Sequence, residues 1–412
     1  MPKDVAAASP RAAGLGARQA MLAGFLGWTL DAFDFFVLAF LVSTLATQFR
    51  VGKAEIIGTI GVTLAMRPVG ALVFGLLADR YGRRVPLIAN ILFYSVIEVA
   101  CGFAPNFAVF FVLRALYGIG MGGEWGVGAS LVMEAAPRRH RGVLSGLLQS
   151  GYSVGYFLAA LAAAVVLPHW GWRAMFWIGG APALLALYVR ARVPESEAWE
   201  RSRAPSTGAI LRELVGDWKH FAYLVLMMTL MMFLSHGTQD LYPDFLQSAH
   251  GLSARAASSI AMLYNVGAVL GAVLFGMISE RLGRRRGMMA ALCLSLLVIP
   301  LWAFSPTTAL LALGAFLMQV GVQGAWGIIP AHLNELSPPS TRGLLPGLAY
   351  QLGILIAAPT NTWEYALRAH LGYARAMAYF ELLVIAGGLL VIALGPERKG
   401  RDFLAPVPAA HG

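Results

Sequence analysis

The chain is 412 residues long, 58% of them hydrophobic and only 13% charged. Soluble domains carry about 25% charged residues, so most of this sequence must lie in lipid, and a water-soluble globular enzyme is excluded. The formal net charge is +10, but Lys and Arg fall in short clusters between apolar runs, which argues against a continuous nucleic-acid-binding face.

After a basic, small-residue leader over 1–17, apolar runs of roughly 20 residues predict twelve membrane helices. Six lie at about 20–49, 56–78, 86–103, 107–133, 142–167 and 174–189, and six at about 221–246, 256–279, 287–304, 307–333, 343–367 and 376–394. The expected organisation is an N-terminal six-helix bundle over 1–189, a cytoplasmic linker over 190–219 and a C-terminal six-helix bundle over 220–412. If the N-terminus is inside, 23 of the 31 Lys and Arg face the cytoplasm and six face outward. Both termini are therefore expected on the cytoplasmic side of a bacterial inner membrane.

Ionisable residues inside membrane helices are costly and mark functional sites by default. Helix 1 carries Asp31 and Asp34, three residues apart and so on one face; as neighbouring buried acids they are candidate proton carriers. Arg67 on helix 2 lies twelve residues before Asp79, about 18 Å along the helix and near mid-bilayer. Its planar fork can hold a carboxylate bidentately, or it can pair internally with Asp31 or Asp34. On helix 4, Arg114 is a second candidate anchor, and Glu124, among glycines, is either a proton site or an interhelical hydrogen-bonding group. Glu98 on helix 3 and Glu381 on helix 12 are expected at the periphery, outside the site. Tyr152 and Gln351 are polar residues expected to line a small-acid pocket, although linking helices is the commoner role for such groups.

The linker pattern Ile210, Leu211, Leu214, Val215 and Trp218 suits either a short surface helix or a solvated turn. Helix 7 contains the cluster Ser235, His236, Gly237, Thr238, Gln239 and Asp240, in which His236, Gln239 and Asp240 share a face. Four deep acids (Asp31, Asp34, Glu124, Asp240) against two arginines (Arg67, Arg114) leave two carboxylates unbalanced. Some of them must be protonated in at least one state, which points to proton coupling.

A shift of 201 residues superimposes the halves: GLLADRYGRR (75–84) falls on GMISERLGRR (276–285), and Glu134, Arg141 and Gly142 fall on Glu335, Arg342 and Gly343. Two parallel homologous bundles place a site at their interface. The same shift carries Asp34 onto Ser235 and Asp31 onto Met232, so the helix 1 acids and the helix 7 cluster are expected to face each other across a cavity.

The doubled loop motif (Gly75, Asp79, Arg80, Gly82, Arg83 and Gly276, Glu280, Arg281, Gly283, Arg284), with Arg114 and the helix 4 glycines, resembles the major facilitator superfamily. The resemblance implies an all-α integral membrane fold of twelve helices in two pseudo-symmetric bundles, with these loops serving as gating elements. Within it, the helix 7 core is similar to the signature of the lactate and pyruvate proton symporters of the sialate:proton symporter group. Met232 and Asp244 stand where that signature has Asn and Thr.

No metal-ligand spacing, phosphate loop or nucleophile–base set occurs. The expected function is symport of protons with a small monocarboxylate such as lactate or pyruvate, by a monomer that needs no cofactor beyond the coupling proton. Asp31, Asp34, Glu124, His236 and Asp240 would manage the proton, while Arg67, Arg114, Tyr152, Ser235, Gln239 and Gln351 would bind substrate. Another organic acid, sialate or an aromatic acid, is the alternative; a non-transporting receptor is more remote.

Overall fold

The computed structural model describes residues 10–202 and 206–405, and no strand occurs among them. The first half consists of α1 (Pro10–Phe49), α2 (Lys53–Tyr81), α3 (Arg84–Gly102), α4 (Phe107–Ala135), α5 (Arg141–Ile178) and α6 (Pro182–Arg192). Two short helices, α7 (Glu197–Ser202) and α8 (Thr207–Gly216), lead to α9 (Trp218–Gln239), α10 (Tyr242–Ser248), α11 (Ala254–Leu282) and α12 (Arg284–Phe304). The chain ends with α13 (Thr308–Leu336), α14 (Leu345–Ala357), α15 (Thr360–Leu371) and α16 (Tyr373–Leu394).

Among the described residues, ten stretches are long and apolar enough to cross a membrane. The difference from twelve lies in two places. The stretch Arg138–Val189 contains two crossings divided at Gly171, whose φ of 73° breaks α5 just after Pro168. The eleventh crossing is broken before Pro359 into α14 and α15, of 13 and 12 residues, each too short to span alone. The seventh is likewise interrupted, between Gln239 and Tyr242.

Glycine sets the helix spacing within each half. A Cβ on Gly70 of α2 would fall 1.8 Å from the Ile119 carbonyl oxygen of α4, and one on Gly271 of α11 would fall 2.2 Å from that of Val320 on α13. The two contacts are one repeat apart, so backbone-to-backbone packing is built into both halves. Large apolar side chains such as Val96, Leu297 and Leu383 remain exposed on the outside, where lipid would cover them. The linker pattern from Ile210 to Val215 forms the helix α8, capped by the Ser206 side chain accepting from Ala209 N, and Trp218 begins α9. Ile210 is buried against Ala71, Leu344 and Leu348, while Val215 and Trp218 point outward.

Candidate functional site

The two halves meet near the arginine-rich loops. Gly75 abuts the Leu344 backbone, Gly142 that of Gly276, and Gly126 that of Gly347. Asp79 accepts from Gly343 N (2.7 Å) and Leu344 N (2.9 Å) at the start of α14, and Glu280 accepts from Gly142 N at the start of α5. Each acid thus caps a helix of the opposite half, where free N–H groups and the helix dipole favour an anion. Behind them Arg83 pairs with Asp79 (2.5 Å) and Glu134 (2.9 Å), and Arg284 pairs with Glu335 (2.9 Å). Across the seam Arg342 reaches Glu134 (3.4 Å) and Arg141 reaches Glu335 (3.2 Å). Every one of these pairs has its counterpart 201 residues away.

Burial disfavours the Arg83 charge, but Glu134 and Asp79 outweigh it and hold the guanidinium above its ordinary range. At Arg342 burial prevails over Glu134 and lowers the group to about 10. Gly82 and Gly283 take φ values of 104° and 98°, a region open to glycine, to turn the chain into the next helix. Arg80 lies over Tyr81, and the Arg281 carbonyl accepts from Lys399. The C-terminal tail also joins this end: Phe403 is clamped between Arg141 (3.8 Å) and Arg342 (4.0 Å), and Arg401 donates to the carbonyls of Ser337 (2.9 Å) and Glu335 (3.3 Å).

Away from the loops α1 and α9 do not pack closely on one another, and at this cleft between them the side chains of His236 and Asp240 are each 36% exposed. Between the halves lies a largely buried aromatic cluster. Tyr350 stacks on Trp125 (4.2 Å between ring centres) and meets Trp326 (5.6 Å) and Trp28 (6.2 Å) edge-on. Tyr152 stacks on Trp28 (5.4 Å) and packs on Phe36 (5.1 Å). Into this cluster projects Arg67, 3% exposed, its guanidinium 5.9 Å from the Tyr350 ring centre and its Nε and Nη2 without hydrogen-bond partners among the described residues. Gln351 spans the halves through Nε2 to the Gly122 carbonyl (3.3 Å), leaving its Oε1 without a partner.

The helix 1 acids do not face helix 7. Asp31 and Asp34 are fully buried inside the first half, where Tyr117 donates to the Asp31 carbonyl (3.1 Å) and lies 3.4 Å from its Oδ1. Asp34 lies beside Glu98 against Gly179, with neither carboxyl oxygen hydrogen-bonded among the described residues. The faces of α1 explain this: Trp28 and Phe36 take the cleft side and the acids take the opposite side. Glu98 is therefore central, and it captures Arg114 (2.8 Å), which also stacks on Tyr117 (4.2 Å). Arg114 is held inside the first half and does not reach the cleft as an anion anchor. Glu124 lies against Gly27 of α1, its Oε2 without a partner among the described residues.

The helix 7 polar residues divide into two groups. Gln239 donates to Gln319 (2.8 Å), Gln319 donates to Thr238 (3.1 Å), and Gln323 donates to Ser235 (3.4 Å). Gln239 and, at longer range, Ser235 thus tie α9 to α13. His236 Nδ1 lies 3.0 Å from Asp240 Oδ2, which also accepts from Asn361 (2.9 Å). Glu381, expected at the periphery, is fully buried against Gly237, and Glu364 of α15 is buried nearby. Sequence reasoning missed Trp28, Trp125, Trp326 and Tyr350, because an aromatic residue in an apolar span gives no sign of which face it occupies. It missed Glu364 because 343–367 reads as one apolar crossing whose outer end carries ordinary polar residues; Asn361, one turn earlier, was the available signal.

The sequence pattern of the family described as Major Facilitator Superfamily matches residues 24–241, and that described as Sugar (and other) transporter matches residues 221–397. The chain is 31% identical to a probable 4-methylmuconolactone transporter of Cupriavidus pinatubonensis over 91% of its own length and 90% of the relative's. It is 29% identical to a carboxylic acid transporter protein homolog of Saccharomyces cerevisiae, over 93% of this chain and 69% of that one. In fold it is similar to the proton:xylose symporter XylE, with a TM-score of 0.75 at 20% identity, covering 94% of this chain and 98% of that one. With ten apolar stretches among the described residues that resolve into twelve crossings, a doubled loop motif and these relatives, the chain belongs to the major facilitator superfamily, a family of membrane transporters.

Proposed function

We propose that the protein is a proton-coupled symporter of an organic acid, carried as a carboxylate and moved by rocking of the two halves about the cleft. The observation that carries this reading is Arg67: a buried guanidinium fork between the two halves, with Nε and Nη2 unpartnered among the described residues and no carboxylate paired to it, is arranged for a ligand carboxylate. The fully buried acids Asp31, Asp34 and Glu124 supply groups that are stable there only when neutral or paired, and so suit a proton cargo. With the loops on the cytoplasmic side, the cleft faces outward, as for an importer of the bacterial inner membrane acting as a monomer.

Among acids, the partly exposed aromatic group of Phe36, Tyr152 and Tyr156 favours a planar, unsaturated or aromatic monocarboxylate over lactate or pyruvate, because it offers ring faces for stacking. The relative named for methylmuconolactone supports the same choice. Lactate and pyruvate remain the second reading, on the resemblance of the helix 7 core.

Proteoliposomes with an inward pH gradient, given labelled benzoate, lactate or sialate, test the proposal. The expected result is gradient-dependent accumulation, strongest for benzoate, abolished in Arg67→Gln and only weakened in Arg67→Lys. Uptake that ignores the gradient refutes symport, and unaltered uptake in Arg67→Gln refutes the anchor.

A further inference from the structure

A second group of acids lies in the other half, at the junction of α9, α15 and α16. Glu381 and Glu364 are each fully buried, and none of their four carboxyl oxygens has a hydrogen-bond partner among the described residues. Glu381 points at the α9 backbone: a Cβ on Gly237 would lie 2.1 Å from its Oε1, so the acid occupies the place that a side chain on α9 would fill. Glu364 is one turn beyond Asn361, whose amide donates to Asp240 at the edge of the cleft. Electrostatically, Glu381 feels Glu364, and Glu364 feels Asp240.

The surrounding elements leave this pair without a counter-charge. On α9, His236 is committed to Asp240 at 3.0 Å. On α10 and α15, Arg368 is committed to Asp244 at 3.2 Å and stacks over Tyr365 and Tyr373. Tyr373, at the start of α16, also donates to Asp244 (2.7 Å). Two unpaired carboxylates side by side in a dry interior are unstable as anions, and a proton on each removes the charge. The helix breaks next to them, between Gln239 and Tyr242 and before Pro359, are where α9 and α15 can shift relative to α16.

We propose that Glu381 and Glu364 form a proton-binding site in the second half, reached from the cleft past His236, Asp240 and Asn361 and separate from the acids of the first half. Binding transfers a proton from hydronium in the cleft: one O–H bond forms on a carboxylate oxygen, one O–H bond of the hydronium breaks to leave water, and the anion becomes the neutral acid. The inference deepens the proposed symport and rests on it for its role: the protein then carries protons on both halves, and substrate moves with more than one proton.

The test is infrared titration of the purified full-length protein in lipid nanodiscs, in H2O and D2O, reading the carbonyl stretch of protonated carboxylic acids, with the protons bound counted by a pH indicator. Glu381→Gln and Glu364→Gln are each expected to remove one deuterium-sensitive component and one bound proton per molecule, leaving the component assigned by Asp34→Asn in place. Glu381→Asp should restore a component at a shifted frequency, which guards against a folding defect in the amide variant. A Glu381→Gln spectrum identical to wild type, or a component that never exchanges into D2O, overturns the site. Because this readout needs no substrate, failure of the site and failure of gradient-driven uptake are read separately.

Discussion

Gly122→Ala probes how helix packing places the anchor. A methyl on Gly122 would lie 1.9 Å from the carbonyl oxygen of Arg67, where ordinary contact begins at 3.4 Å, so α2 and α4 must part locally by the difference, about 1.5 Å. The obstacle is backbone, which cannot rotate aside, and overpacking of this kind costs about 1–3 kcal/mol. The displaced residue is Arg67 itself, and a misplacement of about 1 Å in a positioning group can cost on the order of 100-fold in rate. Gly122→Ala is therefore expected to lower the thermal midpoint in detergent and to reduce uptake far more than its loss of folded protein explains. Gly61→Ala, on the same helix α2 with nothing within 4 Å of the added Cβ, is the matched control. It should leave uptake intact and gain up to about 1 kcal/mol from helix propensity. Normal stability and normal uptake in Gly122→Ala would refute the account of how α4 positions Arg67.

Arg114→Gln should destabilise the fold by roughly 3–5 kcal/mol, because it strands Glu98 without its buried partner. Adding Glu98→Gln should recover part of the loss in a thermal melt, and an Arg114→Gln protein as stable as wild type would show that the pair contributes little. Asp79→Asn weakens the cap on α14, so the loop end should open more often. In a background of Cys101→Ala and Cys293→Ala, alkylation of Ser130→Cys, a buried position whose hydroxyl bonds to the Arg342 carbonyl, should speed up several-fold, and an unchanged rate would reject Asp79 as a gate latch. Phe403→Ala should raise the same alkylation rate by a smaller factor, since it removes the clamp between Arg141 and Arg342. A tail that is only ornamental would leave the rate at the wild-type value.

The sequence by itself determined the membrane setting, the repeat and the paired loop contacts. Composition forces the chain into lipid, and a 201-residue shift that superimposes Asp79, Arg83, Glu134 and Arg141 on their copies requires the same contacts twice. Those are local or symmetric properties, and they survive without knowledge of neighbours. The eleventh and seventh crossings were legible as apolar runs, but not as broken helices, because hydropathy averages across Pro359 and Asp240.

Only the tertiary structure decided which way the polar residues face. Helical periodicity places Asp31 and Asp34 on one side of α1 but says nothing of what lies there; the cleft side goes to Trp28 and Phe36, and the acids turn to Tyr117 and Glu98. Arg114 looked like a free anchor until packing supplied Glu98, 16 residues earlier in the chain. Gln239 looked like a substrate ligand until Gln319, 80 residues later, took its amide. Partnership of this kind is a property of helix rotation and contact across long stretches of chain, which no linear pattern encodes. It is also what leaves Arg67, unlike Arg114 with its Glu98, without a carboxylate partner among the described residues.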